Sequence, residues 1–196
     1  MGTDIHGKLL YRDWDGVKEV DLPPEFEDRD YDFFAILGNV RNGFGFAGIR
    51  RYSKPVRPIT DNRGLPEGVD GNEDYIGDHS FSYVTYDELK NTNLHEQAVT
   101  REGFVSLGHY LKIQPGENPL KWCGGVDGPE IIKISEKDYR ESPNLYTDHK
   151  NTFIKLEWED KPFFEKIEKL KSWMGLYESF WVKEPKDLMF VFGFDS

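Results

Sequence analysis

A chain of 196 residues is long enough for one domain with a sizeable core, and its formal net charge of −11 argues against binding to long DNA or RNA. A mean hydropathy of −0.68, with no apolar run near the roughly 20 residues of a membrane helix, excludes a membrane partner. Cys123 is the single cysteine, which excludes an intrachain disulfide and a cysteine-built zinc site. The first residues lack the basic start and apolar core of a secretory signal, so we expect a cytoplasmic protein.

The first predicted elements are a strand and a helix. Apolar and polar residues alternate over residues 3 to 12, which predicts a strand with Asp4 and His6 on the same face. Asp30 is the predicted N-cap of a helix that continues to Asn42. We therefore expect the chain to pass from the end of this helix straight into the loop that follows.

The middle of the chain contains one clear strand and one clear helix start. Residues 79 to 85 alternate again and predict a strand. Thr85 and Glu88 form a capping-box pattern, which predicts that a short helix begins directly after the strand. Residues 104 to 113 fit either a helix or a strand, and residues 131 to 134 fit a short buried strand.

The last part of the chain has the most regular patterns. Residues 152 to 158 predict a strand, and Asp160 is the predicted cap of a helix that Gly175 ends. The apolar stripe of this helix consists of Phe163, Ile167, Leu170 and Met174. Residues 187 to 195 are continuously apolar and predict a strand covered on both faces. Together these elements predict a single α+β domain over residues 1 to 196, with a mixed central β-sheet packed against a few helices.

One segment differs in charge from the rest of the chain. Residues 41 to 63 contain six basic side chains and one acid, a net charge of +5, so the remainder of the chain carries −16. Its glycines allow close backbone approach, and its aromatic residues, Phe46 among them, could stack on a flat ring. Guanidinium groups and backbone amides suit a small phosphate-bearing ligand. A surface loop whose arginines pair with carboxylates explains the same composition, and both interpretations stay open.

Nine residues in and beside this basic segment are our candidates for ligand binding. The segment itself contributes arginines, an amide and a ring, and the predicted strand that starts at residue 79 adds polar groups at its boundary. The candidates are Arg41, Asn42, Arg50, Arg51, Tyr52, Arg63, Asp78, His79 and Ser80. We expect the partner to be a small anionic nucleotide. Self-association of the chain would enclose such a ligand at a symmetric interface.

A series of motifs supports this hypothesis from another direction. They are GTDIH (2–6), DYDFFAILGNVRN (30–42), RGLP (63–66), GDHSFSYVTYDEL (77–89), WCGGVDG (122–128) and FVFGFDS (190–196). The series resembles a widespread family of phage and prophage proteins that read G-x-D-I-H, R-G-L-P, H-S-x-S and a final F-x-F-D-N. The chain departs from that pattern at Asp30, Tyr83 and Ser196, where Asn, Trp and Asn are usual, and its basic segment is longer than in many relatives.

The resemblance implies a function in a bacterial host. Similar phage proteins include inhibitors of nucleotide-based defence signalling that sequester a cyclic nucleotide. By that analogy, this chain would be an anti-defence protein of the host cytoplasm that binds a cyclic nucleotide without cleaving it, and it would need no cofactor, metal or catalytic residue.

A metal-dependent phosphodiesterase or nuclease is the alternative. Asp4, His6, His79 and Asp195 would supply the mixed nitrogen and oxygen ligands that a divalent metal uses. A buried hydrogen-bond network of Asp4, His6 and Asp195 that joins the two ends of the chain is favoured over a metal site.

Two further functions are weighed against these. An acidic face that imitates nucleic acid and docks on a host protein is also compatible with the net charge, although the acids are spread through the chain. Nucleophilic catalysis is disfavoured, because Ser80 and Ser82 lack a strained glycine elbow and the sequence offers no histidine partner for Cys123.

Overall fold

The computed structural model describes residues 2–45, 48–69, 76–94, 97–161, 164–182 and 184–195. Within these residues the chain forms five α-helices and seven strands in two sheets, about 28% helix and 32% strand, which confirms the α+β class. In the same ranges, no helix combines the length and apolar character that crossing a membrane requires. The chain divides into two compact units, a first of Met1–Asn42, Val56–Gln97 and Lys161–Ser196 and a second of Gly43–Pro55 and Ala98–Asp160.

The first unit is built on a four-stranded antiparallel sheet. Its strands are β1 (Asp4–Asp13), β2 (Gly16–Asp21), β3 (His79–Thr85) and β7 (Leu188–Asp195), in the order β2-β1-β7-β3. Its helices are α1 (Tyr31–Gly38), α2 (Tyr86–Asn91) and α5 (Phe164–Trp181). Because β7 runs antiparallel to both neighbours, its last residues lie between the first residues of β1 and those of β3.

Strand β7 is the centre of the core in this unit. Phe190, Phe192 and Phe194 on one face and Val191 on the other are fully buried, so the prediction of a strand covered on both faces is confirmed. The ring of Phe34 in α1 meets Phe194 edge to face, with 5.2 Å between the ring centroids. In α5 the stripe residue Leu170 is also fully buried, as are its neighbours Ile167 and Met174 on that face.

Local capping signals located two helix starts correctly. The side chain of Asp30 accepts hydrogen bonds from the backbone N–H groups of the first turn of α1. At α2 both bonds of the predicted capping box form, since the Glu88 N–H donates to Thr85 Oγ1 at 3.2 Å and the Thr85 N–H donates to Glu88 Oε2 at 2.8 Å. The strand prediction for residues 79 to 85 is confirmed as β3.

The predicted end of α1 was wrong. The helix ends at Gly38, and Asn39 takes the left-handed conformation with φ 63°, its N–H donating to the carbonyl of Ala35. Residues 40 to 42 therefore lie outside the helix, and Arg41 and Asn42 do not belong to its last turn.

Both predicted ends of α5 were wrong. Asp160 is the last residue of a strand, and the predicted stripe residue Phe163 lies outside the described residues. Gly175 lies inside the helix, which continues to Trp181. A Cβ at Gly175 would be 2.8 Å from the hydroxyl of Tyr86, so this glycine allows close contact between α5 and α2 and does not stop the helix.

The second unit contains the smaller sheet. Its strands are β4 (Val99–Ser106), β5 (Ile132–Ser135) and β6 (Thr152–Asp160), and its helices are α3 (Leu107–Tyr110) and α4 (Glu136–Glu141). Strand β4 pairs antiparallel with β6, whereas β5 pairs parallel with it, so the mixed pairing that we expected in the central sheet occurs here. Strand β5 differs from the predicted buried strand, because Ile132 is 44% exposed.

Candidate functional site

Polar side chains gather where the end of β7 meets the beginnings of β1 and β3. We call this region the polar edge. It comprises Thr3, Asp4, His6, Arg29, Arg41, Asp78, His79, Ser80 and Asp195. The register explains the convergence, since Asp4 lies opposite Asp195 and His79 lies opposite Phe194. The polar edge thus unites residues of the anion-binding and the metal hypotheses.

Asp195 links the two ends of the described chain. Its Oδ2 lies 3.0 Å from Nε2 of His6, and its Oδ1 accepts a hydrogen bond of 3.2 Å from the backbone N–H of Asp4. The side chains of His6 and Asp195 are 31% and 30% exposed. The hydrogen-bond network expected at this position therefore exists, but it is open to solvent and not buried.

Asp4 is held by an arginine that sequence reasoning missed. Nε of Arg29 donates to Oδ1 of Asp4 at 2.7 Å, and Nη2 donates to Oδ2 at 2.5 Å. This two-pronged pair lowers the pKa of Asp4, because the hydrogen bonds from Arg29 favour its ionised form. Arg29 lies in an acidic loop without periodicity, so no local signal pointed to it.

Two acids of the polar edge are thus engaged by arginine or imidazole partners. Asp4 faces Arg29, and Asp195 faces His6. In the described part of the chain, no group of three or more His, Cys, Asp or Glu side chains is arranged to hold a metal ion. The geometry therefore offers the metal-dependent alternative no ligand cluster within those residues.

Arg41 enters the polar edge with an unusual backbone. Its φ is 55°, in the left-handed region that side chains other than glycine seldom occupy. Nε of Arg41 donates to Oγ1 of the buried Thr3 at 3.0 Å, and the guanidinium carbon lies 5.6 Å from the ring centroid of Tyr31. These two contacts fix the direction of the guanidinium.

His79 and Ser80 enter from the opposite side. Nδ1 of His79 and Oγ of Ser80 are 2.9 Å apart, and Ser80 has a φ of 54°. This left-handed conformation occurs where the pairing of β3 with β7 becomes irregular. The imidazole of His79 stacks on Phe194 at 6.4 Å, and the N–H of Asp78 donates to the Phe194 carbonyl at 2.8 Å.

A chain of aromatic contacts connects Arg41 with His79. The Arg41 guanidinium lies over the ring of Tyr31. Tyr31 packs against Phe34, with 5.8 Å between the ring centroids. Phe34 packs against Phe194 with 5.2 Å between ring centroids, and the imidazole of His79 stacks on Phe194. Arg41 and His79 therefore both contact the same group of aromatic rings, Arg41 at Tyr31 and His79 at Phe194.

Two other candidates of the first unit have structural partners. The amide of Asn42 donates to the carbonyl of Val56 at 2.7 Å and accepts from its N–H at 2.8 Å. Arg63 donates from both terminal nitrogens to Oε1 of Glu88, at 3.0 and 2.9 Å, and stacks on the ring of Tyr83. Asn42 thus joins two chain segments, and Arg63 supports the first turn of α2, outside the polar edge.

The remaining candidates belong to the second unit. Tyr52, the ring among the candidates, is only 2% exposed and lies under the guanidinium of Arg101. Arg50 is exposed and lies 5.9 Å from the ring of Phe44, and Arg51 lies over the indole of Trp122. The basic segment therefore contributes residues to both compact units. Phe46 lies outside the described residues.

Comparison of the chain with known protein families, curated proteins and solved structures finds no match. The resemblance to phage proteins accordingly stays a prediction, and the interpretation of the polar edge depends on its own geometry.

Proposed function

We propose that the polar edge binds a small nucleotide-like anion and holds it without cleaving it. The positive φ angles of Arg41 and Ser80 are the observation that supports this proposal most strongly. Among the described residues, three that are not glycine have a positive φ, and they are Asn39, Arg41 and Ser80. Asn39 is accounted for by the end of α1, whereas the other two lie at the polar edge. Each such conformation costs on the order of 1 kcal/mol or more, and strain of this kind concentrates at ligand-binding positions.

The side chains at these two positions suit a phosphate group. Thr3 positions the guanidinium of Arg41 through Nε, and in this proposal the guanidinium donates to a phosphate oxygen, a group that suits arginine geometry. When the Ser80 hydroxyl donates to Nδ1 of His79, Nε2 of the imidazole carries the proton and donates to a second phosphate oxygen.

The acids at the polar edge have separate roles in this proposal. The exposed side chain of Asp78 accepts a hydrogen bond from an amino group on the edge of a base. Asp4 and Asp195 are engaged by Arg29 and His6, which favours retention of the ligand over acid–base attack on it. With tight binding, the protein would lower the free concentration of a nucleotide signal in a host cell, as the resemblance to phage anti-defence proteins implies.

Calorimetric titration with a panel of cyclic dinucleotides and trinucleotides tests the proposal. We expect a dissociation constant below about 1 μM for at least one of them, equivalent to roughly −8 kcal/mol. Failure of every nucleotide to bind in this range would sink the proposal. Heating the complex and identifying the released nucleotide by mass spectrometry separates storage from cleavage. Recovery of intact ligand supports storage, and hydrolysed ligand formed only with added Mn²⁺ or Zn²⁺ supports the metal-dependent alternative. Sedimentation of the same samples measures the expected self-association.

A further inference from the structure

The second unit contains a groove that plays no part in anion binding. Its volume is about 380 Å³, within the range typical of small-molecule sites. Its apolar lining includes Ile113, Pro119, Leu156 and Trp158. Tyr110, Glu136 and Arg140 line it as well and give it a polar side.

The loop that walls this groove is fixed at several points. The backbone N–H of Glu117 donates to the carbonyl of Gln114 at 3.0 Å, and Gly116 supplies the positive φ of that turn. The amide of Asn118 donates to the carbonyl of Glu159 in β6 at 2.8 Å. The wall is thus attached to the sheet that forms part of the lining, so binding would require little ordering of the loop.

Glu136 presents an open carboxylate oxygen to the groove. Its Oε1 accepts hydrogen bonds from the hydroxyl of Tyr110 at 3.0 Å and from Nη2 of Arg140 at 2.6 Å. Within the described ranges no donor reaches Oε2, and the side chain is 39% exposed. Arg140 is 70% exposed, so its guanidinium can leave Glu136 without losing a buried position.

We propose that this groove binds a small organic cation with an aromatic or branched apolar body. The ammonium or guanidinium group pairs with Glu136 and replaces Arg140 there. The apolar body contacts the indole of Trp158 and the side chain of Leu156, as organic cations with rings do in aromatic-lined sites. Arg140 therefore competes with the ligand for Glu136. The proposal is independent of the nucleotide site, because it concerns other residues and the opposite charge.

NMR titration with 2-phenylethylamine tests this site, with 2-phenylethanol as the neutral probe of matched shape. The readout is the indole N–H resonance of Trp158. We expect this resonance to shift with the amine at millimolar concentration, and the alcohol to bind about tenfold more weakly. A resonance that does not move, or equal affinity for the two probes, would overturn the proposal.

Three variants make the test specific. Glu136→Gln should weaken binding of the amine about tenfold and leave the alcohol unaffected. Arg140→Ala should tighten binding of the amine severalfold, because it removes the competing cation. Glu141→Gln, an exposed acid on the same helix outside the groove, should change neither affinity. If Arg140→Ala leaves the amine affinity unchanged or lowers it, the assigned competition is wrong.

Discussion

Gly77 lies against the end of β7 just before β3, and its replacement by alanine tests how closely the two backbones approach. Gly77 has a φ of 90°, a conformation that alanine adopts only with strain. A Cβ built on it would lie 2.7 Å from both the backbone N and O of Phe194. Phe194 is fully buried in the central strand, so its backbone has little room to move.

Gly64 provides the matched control. It has a φ of 79°, and a Cβ built there would meet nothing within 4 Å. Gly64→Ala should therefore cost only the conformational strain, about 1–2 kcal/mol. Gly77→Ala should cost the same strain plus overpacking against Phe194, about 1–3 kcal/mol more. The difference between the two variants isolates the contact with β7.

Urea denaturation of both variants, followed by circular dichroism, measures the two changes in the free energy of unfolding. We expect Gly77→Ala to be less stable than Gly64→Ala by at least about 1 kcal/mol. If the two variants agree within about 0.5 kcal/mol, the loop does not lie against Phe194 as described, and the placement of Asp78 and His79 at the polar edge is refuted.

The other predictions concern ion pairs and a backbone contact. Burial raises the pKa of Glu88, but hydrogen bonds from Thr85 and Arg63 outweigh burial and leave the pKa below its ordinary 4.5. The ionised Glu88 therefore stabilises the fold fully above pH 4.5, and this stabilisation is lost as the pH falls through the lower pKa of the folded state. Urea midpoints between about pH 3 and pH 7 should fall less steeply in Glu88→Gln, and identical acid dependence would contradict this assignment. Arg101→Ala removes a guanidinium that is 3% exposed and should cost about 3 kcal/mol in urea unfolding, whereas a cost under about 1 kcal/mol would mean that its burial is unimportant. Asn42→Ala removes the two hydrogen bonds between the Asn42 side chain and the backbone of Val56, and should lower the free energy of unfolding by about 1–3 kcal/mol. An unchanged urea midpoint would refute this structural role.

Local patterns identified the elements whose signals lie within a few residues. The cap at Asp30 and the capping box of Thr85 and Glu88 depend on neighbours in sequence, and they formed as predicted. The end of α5 could not be predicted in this way. Gly175 is required by its close contact with Tyr86, which is far away in the sequence. A glycine that admits a neighbouring helix and a glycine that ends its own helix look the same in sequence.

The candidate site was predicted only in part for a similar reason. The sequence grouped Asp4, His6 and Asp195, and their hydrogen bonds are present, but Arg29, which holds Asp4, gave no local signal. The division of the basic segment depends on long-range pairing too, since Tyr52 forms a β-bridge with Arg101 in the second unit. Charge alone could not separate the arginine at the polar edge from those that pack on rings or pair with acids elsewhere.

The most direct test of the central claim compares two arginines in the first unit that carry the same charge. Arg41 lies at the polar edge, whereas Arg57 is exposed elsewhere on the same basic segment. The measurement is the calorimetric dissociation constant for the tightest-binding cyclic nucleotide of the panel. We predict that Arg41→Ala weakens binding about 10- to 100-fold, the value of a charged hydrogen bond to phosphate, and that Arg57→Ala changes it less than about twofold. Equal losses in the two variants, or no loss in Arg41→Ala, would contradict a nucleotide site at the polar edge.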